Sequence, residues 1–478
     1  MARTGPVFAL LFVSLALWSR GEVRAQLPGA LDTTFAAGGL RHVDIRVGGA
    51  PRSNNATGLL VQADGKIVLG GAATANDVGA QRMVAVRLTA DGDLDSSFSG
   101  DGIAAIDGYP DGEGLARFYE GRVAAAPSGG VYLFNEVYDG FCCPAWSLAR
   151  FSASGGLVAG FGEGGLVTAG GFDYASTGDV ASRADGRVLV FWDLNDEGGP
   201  IPDQQWVIEQ FTATGAPDGG FGEGGARVFG FDLGDSWEDY SHAMTLQHDG
   251  KVLASGLADV GTGELDIDFA IARLTATGAL DASFSGDGKR TLGFGGDDEE
   301  ALAVASDARR RILVAGVSNG NCAIARLLPD GSLDPSFSGD GKLTFSFASD
   351  AGGAFDQIFG LVPQGDGKLI VAGRATTTAG TGRRVGVARL NADGSFDPTF
   401  SSLAGRPGRQ IFDWATGTGT VSVGRAVTLA GDGRIVVSGG AERAPGDMDF
   451  VAARLHNDYI FGDGFDRGGF AAWSSHAD

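Results

Sequence analysis

Residues 63–98 read ADGKIVLGGAATANDVGAQRMVAVRLTADGDLDSSF, and this stretch returns, with variations, along most of the chain. Its first piece is a turn followed by an apolar strand, ADGKIVLGG (63–71). The same piece recurs as SGGVYLF (128–134), ADGRVLVF (184–191), HDGKVLASG (248–256), ARRRILVAG (308–316), GDGKLIVAG (365–373) and GDGRIVVSGG (431–440), seven in all. The second piece is a strand ending in a basic residue: Arg87, Arg150, Arg273, Arg326, Arg389 and Arg454, with Gln210 in the third unit. The third is a turn that closes on phenylalanine, as in LDSSF (94–98), LDASF (280–284), LDPSF (333–337) and FDPTF (396–400). Its phenylalanines are Phe35, Phe98, Phe161, Phe221, Phe284, Phe337 and Phe400, six steps of about 61 residues.

Each unit carries four strand-like segments, in the first roughly Leu40–Arg46, Thr57–Gln62, Lys66–Gly71 and Met83–Thr89. Runs such as IVL, LIV and IVV do not alternate, so those strands must be covered on both faces. Glycine at 65, 186, 250, 367 and 433 suits a tight hairpin that needs positive φ. Helical periodicity is almost absent. Seven four-stranded antiparallel sheets, each covered on both faces, predict an all-β, seven-bladed β-propeller over residues 26–456. Separate β-sandwiches would need longer units. A linear solenoid would need polar caps. Instead the repeat starts halfway through a unit, at Leu31-Asp32-Thr33-Thr34-Phe35, and its last unit stops at Ala453-Arg454-Leu455, so the N-terminal piece supplies what the last unit lacks.

The recurring LDxxFSGDG turn, the DGK strand and the ARL strand over residues 29–455 resemble the delta-60 repeat family of bacterial β-propellers. That resemblance implies a propeller fold and an exported bacterial protein; it implies no activity and no catalytic residues. The chain departs from the pattern at LVAGF (157–161) and APDGGF (216–221), which have lost LDxxF, and has no lysine between Lys66 and Lys251.

Composition agrees. Of 478 residues 81 are glycine, a little over twice the average usage of about 7%, with only 15 prolines and no triplet period. A formal charge of −23 argues against nucleic acid or anionic lipid as a partner, and self-repulsion favours a monomer. Arg3, the apolar run Val7–Trp18 and Val23-Arg24-Ala25 read as a signal peptide over residues 1–25 cleaved after Ala25, placing the protein outside the cytoplasm: secreted, periplasmic or on the cell surface. The run is too short to span a bilayer. Three cysteines, Cys142, Cys143 and Cys322, make neither a disulfide framework nor a zinc site. A strained Cys142–Cys143 bridge and unpaired thiols both remain open.

Antiparallel order puts the DG hairpins and the LDxxF turns on one side of the disc. The loops that vary lie on the other, among them 135–146, 192–206 and 230–242. Of seven Trp and seven Tyr, ten fall within residues 101–240, and acids crowd the same loops. Tyr138, Trp192, Trp206, Trp237, Glu238, Asp239 and Tyr240 are therefore the binding candidates. Aromatic rings beside carboxylates suit a glycan, a cationic ligand or a protein partner; packing of longer loops explains them equally well. The repeated Phe and Arg residues, with Asp95 as an example of the acid near them, read as structural.

Chemistry is sparse. Gly316-Val317-Ser318-Asn319-Gly320 matches a nucleophile elbow in letters, but a strand follows where a helix is required. His42, His242, His248, His456 and His476 show no metal spacing. Acidic turns such as Asp91–Asp95 leave calcium open, though they lack EF-hand geometry and Asx turns explain them with fewer assumptions. Asn55-Ala56-Thr57 is a formal sequon. Residues 457–478 form a tail outside the repeat. The sequence thus reads as an exported binding scaffold with no cofactor required. The alternative is an acidic, calcium-dependent hydrolase or lyase.

Overall fold

Each apolar run that follows a DG turn becomes a strand buried along most of its length. Ile67–Thr74 is buried at all eight positions. Gly65 takes φ 83° in the turn before it, a conformation that costs a residue with a Cβ. Gln62 N–H and Lys66 C=O close that hairpin at 2.8 Å. The computed structural model describes residues 27–36, 38–45, 54–74, 81–106, 117–138, 144–169, 178–196, 203–231, 233, 239–261, 266–296, 298–347, 355–376, 382–401 and 406–458.

These residues form seven four-stranded antiparallel sheets. Blade 1 consists, from the axis outward, of Asn54–Val61, Ile67–Thr74, Gln81–Leu88 and Ile103–Ile106. Blades 2 to 6 repeat that order and start with inner strands Arg117–Ala126, Asp179–Ser182, Ser241–Leu246, Glu299–Ser306 and Gln357–Pro363. Neighbouring inner strands lie side by side all the way round, including blade 7 against blade 1. The seven-bladed propeller predicted from the repeats is therefore the fold.

The phase of the unit differs from the sequence reading by one strand. Leu40–Val43 does not open blade 1. It is the outer strand of blade 7, pairing with Asp447–Leu455 in the register Leu40↔Ala453 to Val43↔Phe450. The reason is the LDxxF turn, which folds the chain straight back on the strand before it. Arg87 C=O accepts from Asp95 N–H at 2.9 Å, and Arg87 N–H donates to Gly102 C=O at 2.8 Å. Whatever follows the turn must then be the outermost strand of the same blade.

The core is divided into seven seams between adjacent blades, and one turn phenylalanine plugs each. Phe98 joins Met83 and Ala85 of blade 1 to Leu133 and Phe151 of blade 2. Phe35 does the same between blades 7 and 1. Both rings have no exposed surface. Gly92, at φ 90°, lies against the Phe35 ring, where a Cβ would come within 2.7 Å. A backbone hydrogen bond crosses every seam at this level, for example Ser99 N–H to Ser154 C=O at 2.7 Å and Ser338 N–H to Asp393 C=O at 2.8 Å.

In blade 7 the same turn is built from two remote pieces. Gly29 N–H donates to His456 C=O and His456 N–H to Ala30 C=O, both at 2.8 Å. Ser401 N–H then crosses the last seam to Pro28 C=O at 2.9 Å. The ring is closed by pairing residues about four hundred positions apart.

Candidate functional site

The hairpin side of the disc is a lattice of mutually satisfied charges. Arg87 Nε lies 2.7 Å from Asp95 Oδ2, its Nη1 donates to Ala153 C=O of the next blade at 2.6 Å, and its Nη2 donates to Ser97 Oγ at 3.0 Å. The guanidinium carbon stacks 4.6 Å above the Phe98 ring. Lys66, from the DG hairpin, reaches the same carboxylate at 3.2 Å. Arg273–Asp281–Lys251 and Arg389–Asp397–Lys368 repeat the triad, while Arg454–Asp32–Arg434 does so across the ring closure. Burial opposes charge on these carboxyls, but hydrogen bonds and cations outweigh it. Asp95 is held well below the usual carboxylate range, and Asp397 at about 2 by Lys368, Thr399 and Arg389. Arg87, Arg273, Arg389 and Arg454 are thus each held by an aspartate of a phenylalanine-closing turn.

Two departures confirm how the lattice works. In blade 2 the acid and the hairpin cation are lost together, replaced by Val158 and Gly130, and Arg150 faces the Tyr132 ring at 5.8 Å instead. Arg150 still crosses the seam to Ala213 C=O at 2.6 Å. In blade 3 the arginine itself is replaced by Gln210, and Arg183 arrives from the inner strand. Arg183 Nε donates to Gln210 Oε1 at 2.6 Å, while Nη1 and Nη2 donate to Gly250 and Ala276 of blade 4 at 2.9 and 3.1 Å.

The opposite side carries the binding candidates, and the structure places several of them inside. Trp206 has no exposed surface and packs against Phe191 at 5.1 Å and Phe231 at 4.9 Å; its Nε1 donates to Asp239 C=O at 3.1 Å. Asp239 is buried too and accepts from Phe231 N–H at 2.7 Å. Trp192 stands 6.4 Å from Trp146 in the seam between blades 2 and 3, with Nε1 3.2 Å from Glu209 Oε2. Tyr240 is partly exposed, and its carbonyl accepts from Leu257 N–H at 3.0 Å. Tyr138 ends the second strand of blade 2, opposite Pro144. Trp206, Asp239 and Tyr240 are thus brought together, the first two buried. Trp237, Glu238, Cys142, Cys143, residues 1–25 and residues 459–478 lie outside the described residues.

Residues in which single blades depart from the others also lie on this side. Arg374 stands where other blades have Ala72, Leu257, Val317 or Gly440. Arg425 stands where they have Thr57, His242, Leu302 or Phe359. Arg374 lies 4.6 Å over Phe355 and Arg425 4.4 Å over Phe359. At the edge between blades 4 and 5, burial first, then Glu299 and Asp266, push Asp268 up to about 6. Glu299 is committed to the N–H groups of Phe294 and Gly296 and to Ser318 Oγ. Ser318, the nucleophile-elbow serine, therefore ends one strand and braces a loop, with Asn319-Gly320 forming the hairpin to the next strand.

Cys322 is a fully buried free thiol, pushed up by burial. Acidic turn residues mostly cap backbone N–H groups, as Asp101 does for Ile103 at 2.9 Å and Asp393 for Ser395 at 2.9 Å. Among the described residues no group of three or more His, Cys, Asp or Glu side chains is placed to hold a metal ion. No helix among them is long and apolar enough to cross a membrane.

The signature of a β-propeller domain family of unknown function, DUF5122, matches residues 62–98, 247–284, 310–337 and 364–400. Four repeats fit a propeller family without an assigned role. Each matched segment ends on the turn phenylalanine and contains the seam arginine and its aspartate. No curated protein matches the chain. Among solved structures, a streptogramin B lyase shows 12% identity and a TM-score of 0.44 over 87% of this chain and 97% of its own. An α-L-arabinofuranosidase of Fusarium graminearum shows 10% and 0.44 over 90% and 99%. A Penicillium chrysogenum α-L-arabinanase shows 8% and 0.42 over 90% and 98%. Likeness at this level says nothing of what the chain binds.

Proposed function

We propose that the protein is an exported, monomeric propeller that serves as a binding scaffold through the face opposite its hairpins. One observation carries this reading. The seam charges of the hairpin face are engaged with one another in every blade but the second, which leaves recognition to the side whose loops differ. The loops 135–146, 192–206 and 230–242 of blades 2 to 4, rich in Trp, Tyr and acids, are the proposed contact region for a glycan, a cationic ligand or a protein. Buried Trp192 and Trp206 would act there as supports that set the loops, and Tyr138, Trp237, Glu238 and Tyr240 would make the contact. The mature chain, with residues 1–25 removed, should retain a ligand from glycan arrays or cell-surface extracts, with and without calcium. Replacing Trp237 and Tyr240 by alanine should abolish that retention. Unchanged binding of every ligand found would remove the reading.

The second reading, an acidic hydrolase or lyase, rests on Asp268, whose pKa near 6 suits proton transfer at neutral pH. Release of new chain ends from a polysaccharide, lost in Asp268→Asn, would favour it. Asp268 lies away from the axial strands, beside the outer strand of its blade, which favours the scaffold.

A further inference from the structure

Three arginines meet at the seam between blades 6 and 7, on the side away from the hairpins. Gly373 and Gly424, the residues just before Arg374 and Arg425, face each other across it; a Cβ on Gly424 would lie 3.3 Å from Gly373 C=O. Arg383 pairs with Thr376, so its side chain and that of Arg374 project from the same face of the sheet. Arg383 also bridges to Val421 of blade 7. Guanidiniums at such close quarters normally alternate with carboxylates, and in a chain of net charge −23 acids are plentiful. Among the described residues no carboxylate pairs with Arg374 or Arg383. Among the described residues Arg374 makes no ion pair and no hydrogen bond, and its Nε is buried. Arg383 is exposed, and no side-chain partner accompanies it among those residues. Its neighbour Arg384, by contrast, is paired with Asp413 at 2.9 Å.

Of the described acids nearby, Asp356 is occupied and Glu300 is not paired with Arg374. Asp356 accepts from Ser346 Oγ, Phe347 N–H and Thr376 N–H at 2.7 to 2.8 Å. Glu300, on the inner strand of blade 5, feels Arg374 without reaching ion-pair distance and is itself raised by burial. The strain on Arg374 is visible in its acidity: burial, then Arg383 and Arg425, bring it down to about 10. Beside it Phe355 is 45% exposed, a rare exposed large apolar side chain in this molecule.

We propose that this seam binds an oxyanion carried by a small ligand, held by Arg374 and Arg383, with Phe355 against the ligand's apolar side. Guanidinium groups donate in a planar fork that fits carboxylate, sulfate and phosphate alike. An anion there would supply countercharge to both guanidiniums. The site lies two blades away from the aromatic loops and goes beyond the scaffold reading.

The test is titration calorimetry of the full mature chain with glucuronate and with inorganic sulfate, using glucose and chloride at matched ionic strength as controls. Glucuronate or sulfate should bind and glucose should not; a preference between the two tells a sugar acid from a free inorganic anion. Arg374→Gln and Arg383→Gln should each weaken binding about tenfold or more. Arg309→Gln, an exposed arginine on the hairpin side, removes the same charge and should change nothing. Without anion Arg374→Gln should melt no lower than the wild type, because it removes a half-buried charge that no described carboxylate pairs. Exposed Arg383 serves as the variant that cannot be dismissed as misfolded. The idea is overturned if neither anion binds, or if Arg309→Gln costs as much as the other two. Loss of this site with retention of a ligand on blades 2 to 4 would leave the scaffold reading standing.

Discussion

Single carboxyl groups in this protein have opposite effects on stability, according to what surrounds them. Asp397 lies between Arg389 and Lys368, and its pKa is lowered from 3.8 to about 2. A lowered pKa contributes stability above pH 4 that is lost as the pH falls from about 4 to 2. Asp397→Asn should therefore lower stability by about 2 kcal/mol at pH 7. Denaturant melts should show that gap closing near pH 2. Asp268 is the reverse, raised from 3.8 to about 6 by burial and by Glu299 and Asp266. Its native form holds the proton more tightly than the unfolded chain, so stability is lost as the pH rises from about 4 to 6 and stays lost above. Asp268→Asn should be more stable than the wild type at pH 7.5 and equal to it below pH 4. A destabilised Asp268→Asn at pH 7.5 would mean that its carboxylate is held by a cation.

Among elements, the seam is the unit that repeats, and its parts can be exchanged. Arg183 does from the inner strand of blade 3 what Arg87 does from the third strand of blade 1, since Gln210 cannot reach across. Arg183→Ala should cost about 1–3 kcal/mol by stranding the Gly250 and Ala276 carbonyls. Gln210→Arg in that background should recover at least half of it, read from paired melting curves. This exchange also explains what was legible beforehand. The DG hairpin, the AR strand and the LDxxF turn could be read because each repeated residue bonds to another repeated residue. The outer strands could not. Ile103–Ile106, Leu166–Ala169 and Lys289–Leu292 are four residues long and share no pattern, so the sequence alone phases the unit one strand too early. Trp192 and Trp206 looked like contact residues because an aromatic near a variable loop has the same letter whether it faces a ligand or the next blade. Arg374 and Arg425 carry no sequence signal for another reason: a repeat is recognised by what its copies share, and these two are departures.

At the scale of the whole ring, the seven seams have similar chemistry and one different consequence. Phe98→Ala and Phe35→Ala each empty a pocket closed by an arginine and an aspartate, and each should cost about 3–5 kcal/mol. Phe35, however, belongs to the seam that joins the two ends. Hydrogen exchange at Leu40–Val43 should therefore accelerate in Phe35→Ala well beyond its change in Phe98→Ala. Equal acceleration would mean that the ring opens at any seam with the same ease. The spliced turn of blade 7 also sets a schedule for biogenesis. A chain made from its N-terminus delivers residues 28–43 before blades 1 to 6, yet their partners at 447–456 only after them. That early segment has to wait, unpaired and strand-prone, while six blades are completed beside it. Chaperones, premature termination and proteolysis would all act on the nascent chain within that interval.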